Sequence, residues 1–354
     1  MNPLADSPRL RVAFFGAGEF GLPVLRMLAR DHRLVAVISQ PDRPAGRGKV
    51  LTPAPIAEYA AAALSEIPLL KFESVADPAA CAAVRAVAGP EHVDAWVIVA
   101  FGQKLPPALL DGIWAINLHG SLLPRWRGAG PIQAAVLAGD AETGNTVITI
   151  AQRMDAGLML GQSRRPIDLT HTAGDMADLL SADGPALISA VLARHAAGAD
   201  APVTQDELLV TRARKLAKAD GVVDFTLSAE DCRRRINGMN PWPGITVKFR
   251  ALSLKLLRAT TALEDVSPAA LAAVQAHATT PRPPGQIIAA MTGLIACGRG
   301  TVLRLCNVHP AGKRAMPWPD FARGAKLAGC PTDDPEFRLD CTSTTESAPD
   351  KVIE

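Results

Sequence analysis

Ile113-Trp114-Ala115-Ile116-Asn117-Leu118-His119-Gly120-Ser121-Leu122-Leu123-Pro124 is the stretch on which the reading of the fold turns. Its first four residues are apolar, as in a buried strand of a parallel sheet. Glycine, serine and the prolines Pro124 and Pro131 then break the run into a loop. Strand alternation sets Asn117 and His119 on one side at the strand's end and turns Leu118 away. In open α/β sheets, ligands bind outside the carboxyl ends of strands. Asp155 follows His119 by 36 positions, within Met154-Asp155-Ala156-Gly157-Leu158. An amide, an imidazole and a carboxylate are the groups an acyl transfer needs. The amide can donate to an oxyanion, the imidazole can move a proton, and the carboxylate can orient the imidazole. Singly they are ordinary, since a histidine after an apolar run commonly fills a core and Asp before Ala-Gly commonly sits in a turn.

The pattern repeats on both sides of that strand. Residues 11–15, 34–39 and 93–100 read as strands, 20–30 as a helix, 146–150 as a β-branched strand and 172–195 as a closing helix. Strands alternating with helical stretches imply βαβ units and an α/β, Rossmann-like, mostly parallel sheet. Residues 196–205, rich in Ala, Gly, Asp and Pro, have a linker's composition. Short β-rich pieces at 246–249, 285–288 and 301–305 suit a small barrel. The expected organisation is a catalytic domain over 1–200, a linker over 201–212 and a smaller C-terminal β-barrel, OB-like, over 213–330. An acidic tail, 331–354, is expected to be disordered.

At 354 residues the chain is too long for one typical core. No unbroken apolar run approaches the roughly 18 residues needed to span a bilayer, so no membrane segment is expected. The six cysteines are scattered without a Cys-x-x-Cys pair, which argues against a zinc site or disulfide framework and for a reducing cytoplasm. The seven histidines show no ligand-like spacing, and no metal is expected. The net charge of +2 hides a division. Residues 1–210 carry 17 Lys/Arg against 21 Asp/Glu, residues 211–330 carry 18 against 7, and residues 331–354 carry 2 against 7. A basic second domain is the footprint of a polyanion partner.

Two further motifs bear on function. Gly16-Ala17-Gly18-Glu19-Phe20-Gly21 fits the dinucleotide fingerprint, so an NAD(P)-dependent oxidoreductase is an alternative reading. That reading requires an acid ending the second strand, whereas the strand ends at Ser39-Gln40 and Asp42 lies in a proline-bounded loop. A tight strand-to-helix turn needs the same glycines. In Gln40-Pro41-Asp42-Arg43-Pro44-Ala45-Gly46-Arg47-Gly48-Lys49, three cations stand among small residues in a long βα connection. Such a loop can follow a phosphate backbone.

The block from Asn117 to Pro124, with Asp155 behind it, resembles the folate-dependent formyltransferase family, where Asn-x-His, Ser-Leu-Leu-Pro and a later Asp recur in that order. The likeness continues through residues 224–228, 237–244 and 310–316 and covers about residues 10–325. It implies the formyltransferase fold, with Asn117, His119 and Asp155 as the catalytic trio. It also implies folate contacts from Ser121, Leu122, Leu123 and Pro124. The basic loop resembles an insertion found in the tRNA-modifying branch, which implies tRNA contacts from Arg43, Arg47 and Lys49. The implied reaction takes the formyl group of 10-formyltetrahydrofolate to the α-amino group of initiator methionyl-tRNA, in a cytoplasmic monomer serving bacterial-type initiation. A sugar-nucleotide or small-amine formyltransferase of the same fold would share the trio and the folate loop without needing the basic loop. The chain departs from the family pattern at Ala17-Gly18, at Phe101-Gly102-Gln103 and over Leu158-Met159-Leu160-Gly161-Gln162.

Overall fold

The computed structural model describes residues 9–45, 48, 50–330, 334 and 337–341. It divides into two compact units. The first runs to Pro131 and takes in Thr143–Arg165 and Ala177–Arg212. The second comprises Ile132–Glu142, Pro166–Met176 and the chain from Ala213 onward.

The first unit is built on a seven-stranded sheet. Its strands are β1 (Arg11–Gly16), β2 (Arg33–Ser39), β3 (Leu69–Lys71), β4 (Ala95–Val99), β5 (Ala115–His119), β6 (Glu142–Thr149) and β7 (Met159–Pro166). Their spatial order is β7-β6-β5-β4-β1-β2-β3. The pairs from β3 through β5 are parallel, and β6 lies antiparallel to β5. The mostly parallel, Rossmann-like sheet expected from the sequence is therefore present.

Every strand residue from Val12 to Gly16 and from Ala95 to Val99 is buried or nearly so, because both sheet faces are covered. Alternation sorts the side chains. Val12, Phe14, Val97, Ile116 and Leu118 join one core, while Ala13, Phe15, Trp96, Ile98 and Ala115 join the other. Trp96 lies 4.6 Å from Phe15, centroid to centroid, and its indole N–H donates to the Ala88 carbonyl at 2.8 Å. That bond removes the cost of burying the indole N–H. The helix Pro78–Ala88 starts where the Asp77 carboxylate accepts from the N–H groups of Ala79 and Ala80, with proline in the first turn. The helix Ala173–Ala196 is by length and composition apolar enough to cross a membrane, and Ile188, Val191 and Leu192 from it enter the first core.

The second unit contains β8 (Ile245–Phe249), β9 (Leu252–Thr260), β10 (Ile287–Ala289), β11 (Leu294–Ala296), β12 (Val302–Pro310), β13 (Met316–Pro317) and β14 (Leu339–Cys341). The sheet runs β10-β11-β12-β9-β8-β14, with β13 on β12, and its pairings are antiparallel. An antiparallel bridge between Gln286 and Arg338 joins its two edges, so the sheet closes on itself as a barrel. Phe249, Leu254, Leu256, Leu303, Phe337 and Leu339 fill the interior.

Three expectations change here. Most of the acidic stretch expected to be disordered lies outside the described residues, but within it Phe337 and Leu339 are buried and Leu339–Cys341 completes the barrel. Their alternation with Arg338 and Asp340 is a strand pattern too short to stand out in a polar tail. The second unit also includes residues 132–142 and 166–176, which lie far from it in sequence. Arginines hold them: Arg233 and Arg258 donate to the Leu169 and Thr170 carbonyls, and Arg234 to that of Ala138. Part of the positive excess over 211–330 is thus structural. Third, residues 201–212 do not run free as a linker, since Val203 exchanges two backbone hydrogen bonds with Met159 and Gln205 is buried.

Candidate active site

The carboxyl end of β5 presents Asn117 opposite Ile148 of β6 and His119 opposite Thr146. Alternation turns both toward the face of Ala115, while Leu118 packs in the opposite core, as the sequence implied. Ala115 to His119 thus deliver two polar side chains to one edge of the unit. The Asn117 side-chain amide has no hydrogen-bond partner among the described residues and is partly exposed. His119 is 6% exposed, and its Nε2 lies 2.9 Å from the Trp126 carbonyl. A carbonyl can only accept, so that nitrogen carries the ring's proton in the neutral form. Nδ1 then faces Asp155 Oδ1 at 3.6 Å. The Trp126 carbonyl therefore sets the tautomer, and Asp155 faces the other ring nitrogen.

Both partners of His119 sit on left-handed backbone. Trp126 has φ +67° and Asp155 has φ +55°. A bulky residue in the left-handed region is uncommon and persists only where its surroundings over-determine it. At Trp126 the surroundings are a bond from its N–H to Thr211 Oγ1 at 2.9 Å and its carbonyl's bond to His119. Asp155 is anchored through Oδ2, which accepts from the Gly128 N–H at 2.8 Å. Gly157 allows the loop to press on β6, since a Cβ there would overlap the Thr149 carbonyl. Exposed Met154 and Leu158 flank Asp155.

The Ser121-Leu122-Leu123-Pro124 loop follows directly. Ser121 is fully buried and its hydroxyl donates to the Arg125 carbonyl at 2.7 Å, so this side chain secures the loop. Leu123 is buried too, while Leu122 and Pro124 are partly exposed. Thr146 Oγ1 donates to the Ser121 carbonyl at 2.7 Å and accepts from the Leu123 N–H at 3.0 Å. Gln162 Nε2 reaches the Leu123 carbonyl at 2.8 Å. Sequence reasoning passed over Thr146 as a strand residue and treated Gln162 only as a departure. Neither has a local signal, because each acts across the sheet. The departure at Gln103 is also in use: its amide bridges the Val75 N–H and the Phe72 carbonyl.

At the two ends of the basic loop Arg43–Ala45 pairs antiparallel with Val50–Thr52, and Val50 and Leu51 are exposed. Arg43 pairs with Glu73 at 2.5 Å. Arg47 and Lys49 lie outside the described residues. Asp42, the acid nearest the second strand's end, is paired with Lys71 at 2.6 Å and is thereby occupied. At Gly16 a Cβ would stand 2.8 Å from the Val99 carbonyl and against the Phe14 ring. Strand packing therefore accounts for that glycine.

Residues 10–192 match the family described as Formyl transferase, and residues 215–326 match Formyl transferase, C-terminal domain. The chain is 38% identical over 325 residues to a methionyl-tRNA formyltransferase of Hydrogenovibrio crunogenus, covering 90% of this chain and 97% of that protein. Against the methionyl-tRNA formyltransferase of Methylococcus capsulatus it is 37% identical over 324 residues, covering 90% and 98%. Its fold resembles an N-formyltransferase from Helicobacter canadensis solved with folinic acid and dTDP-3-aminofucose (TM-score 0.59, 13% identity, 83% of this chain and 98% of that one). It also resembles HypX from Aquifex aeolicus in complex with tetrahydrofolic acid (TM-score 0.58, 14% identity, 91% of this chain). The chain spans 48% of the length of that second structure.

Proposed function

Because the chain belongs to the formyltransferase family, we propose that it transfers the formyl group of 10-formyltetrahydrofolate to the α-amino group of initiator methionyl-tRNA. The observation that carries the chemistry is that Asn117, whose amide has no partner among the described residues, shares a face of β5 with His119, whose Nδ1 lies 3.6 Å from Asp155 Oδ1. This trio fits a formyl donor, because it offers a free donor to an oxygen that gains charge and a ring nitrogen able to exchange a proton.

The neutral amine attacks the formyl carbon, a new C–N bond forms, and negative charge gathers on the formyl oxygen. Asn117 Nδ2 donates to that oxygen, a contribution of about 3 kcal/mol. His119 Nε2–H is committed to Trp126, so proton transfer falls to Nδ1. Nδ1 takes a proton from the attacking nitrogen and returns it to N10 as the N10–C bond breaks, which releases tetrahydrofolate. Asp155 stabilises the imidazolium between those two transfers. The partly exposed Leu122 and Pro124 form the apolar wall for the folate, on a loop that Ser121, Thr146 and Gln162 hold in place.

The two relatives aligned over nearly their whole length are both methionyl-tRNA formyltransferases, and this favours tRNA over an amino sugar. The barrel supports the same reading. Lys248 is exposed on its outer face, and Lys255, which donates to the Pro241 carbonyl at 3.2 Å, lies on the same barrel, so both could offer charge to a phosphate. Arg43, Arg47 and Lys49 would place the acceptor end of the tRNA. Incubation with 10-formyltetrahydrofolate and either charged initiator tRNA or a nucleotide-linked amino sugar tests the proposal, with mass spectrometry locating the formyl group. Formylated sugar beside unmodified methionyl-tRNA would overturn it.

A further inference from the structure

We propose that Gln205 is a positioning residue for Asp155, acting through the backbone of the loop that carries the carboxylate. The inference rests on the catalytic reading of Asp155 given above. Gln205 lies in the segment whose composition reads as a linker, yet it is 5% exposed. Its Nε2 donates to the Asp155 carbonyl and to the Gly157 carbonyl, each at 2.8 Å, and its Oε1 accepts from Arg127 Nε at 2.9 Å. Both amide hydrogens and the amide oxygen are therefore engaged. The two carbonyls bracket the residue with φ +55°, so this amide fixes the turn that aims the Asp155 carboxylate.

The rest of the segment reinforces the arrangement. Val203 exchanges two backbone hydrogen bonds with Met159, each 2.8 Å. Glu207 bridges Arg127 at 3.0 Å and Arg153 at 2.9 Å, and gathers the loop's start to the same arginine that holds Gln205. The hydrogen bond from Arg127, against some desolvation and with help from the charges of Arg127 and Arg153, keeps the Glu207 carboxyl below its ordinary range. Thr211 accepts from the Arg127 N–H through its carbonyl and from the Trp126 N–H through its hydroxyl, each at 2.9 Å. Residues 203–211 thus tie the loop bearing Asp155 to the loop whose Trp126 carbonyl holds His119. The separation of Nδ1 from Oδ1 depends on that tie. A glutamine is required at its centre because two carbonyls need two donors, and a glutamate offers none when ionised.

The test is a double-mutant cycle on single-turnover formylation, with folate affinity and thermal stability measured for each variant. Gln205→Ala should slow transfer about tenfold to a hundredfold, as misplacement by about an ångström does, while folate affinity stays within about twofold. Gln205→Glu keeps the side chain's size and its bond to Arg127 but presents no donors, so it should be as slow. Asp155→Asn/Gln205→Ala should be no slower than Asp155→Asn, because residues acting through one another are not additive. Wild-type speed in Gln205→Glu, or losses that multiply in the double variant, would overturn the inference while leaving the role of Asp155 intact. Wild-type speed in Asp155→Asn would instead overturn the catalytic reading, and the inference with it.

Discussion

In Asp155→Asn the side-chain oxygen that accepts from the Gly128 N–H at 2.8 Å is retained, and φ of +55° is one that asparagine adopts readily. The loop therefore keeps its anchors, and the loss is a negative charge 3.6 Å from His119 Nδ1. At an effective dielectric near 20, two unit charges at that distance interact by about 4–5 kcal/mol. The side chains are 6% and 14% exposed, so the pair is only slightly screened by solvent. Each 1.36 kcal/mol in a barrier is about tenfold in rate, which sets a ceiling of about a few thousandfold. The Gly128 N–H already draws on the carboxylate, and the asparagine dipole recovers part of the interaction. A loss of about a hundredfold to a thousandfold follows. The assay is single-turnover transfer from 10-formyltetrahydrofolate with enzyme in excess over methionyl-tRNA, beside a separate titration of folate affinity. A loss below about fivefold, or one that only tracks weakened folate binding, would refute the reasoning and make Asp155 a structural turn residue.

His119→Ala and Asn117→Ala should each reduce turnover by about a hundredfold or more with thermal stability preserved, since proton transfer and oxyanion donation contribute on that scale. Near-normal single-turnover rates would contradict this. Gly157→Ala should cut activity by displacing the Asp155 loop, because its Cβ meets the Thr149 carbonyl; a crystal structure of the variant with an unmoved loop would exclude that cause. Acid stability should depend on Asp94, whose carboxyl is held below its ordinary value by a hydrogen bond from Arg11, against partial burial. A carboxyl lowered by folding adds stability that is complete above its unfolded value, about 4, and is lost as pH falls through the lower folded value. The urea midpoint of Asp94→Asn should accordingly fall less steeply below about pH 4 than that of the parent. Lys255→Ala should reduce the slope of log affinity for tRNA against log salt by about one if that side chain contacts a phosphate, and an unchanged slope would remove it from the interface.

The alternation of Ala115 to His119 was sufficient to place Asn117 and His119 on one face at a strand's end, because side-chain direction in a strand has a period of two whatever its neighbours. The apolar strands and their order of alternation with helices were legible for the same reason, whereas Asp155 was set beside the pair only by the resemblance to the family. The remaining contacts arise between residues distant in sequence. Trp126 fixes the histidine tautomer with a backbone carbonyl, a group every residue possesses, so no side-chain motif announces it. Gln205 and Thr146 look like an unremarkable linker residue and strand residue until folding brings their polar atoms to carbonyls 48 and 25 positions away. Phe337 and Leu339 read as part of an acidic tail because their burial depends on a barrel whose other edge begins near Gln286. Sequence alone therefore determined the central strands β1, β2, β4 and β5 and which chemical groups reach the end of β5. Only the tertiary structure decided how those groups are held, because that depends on carbonyls and ladder edges whose partners are set by the closed chain path.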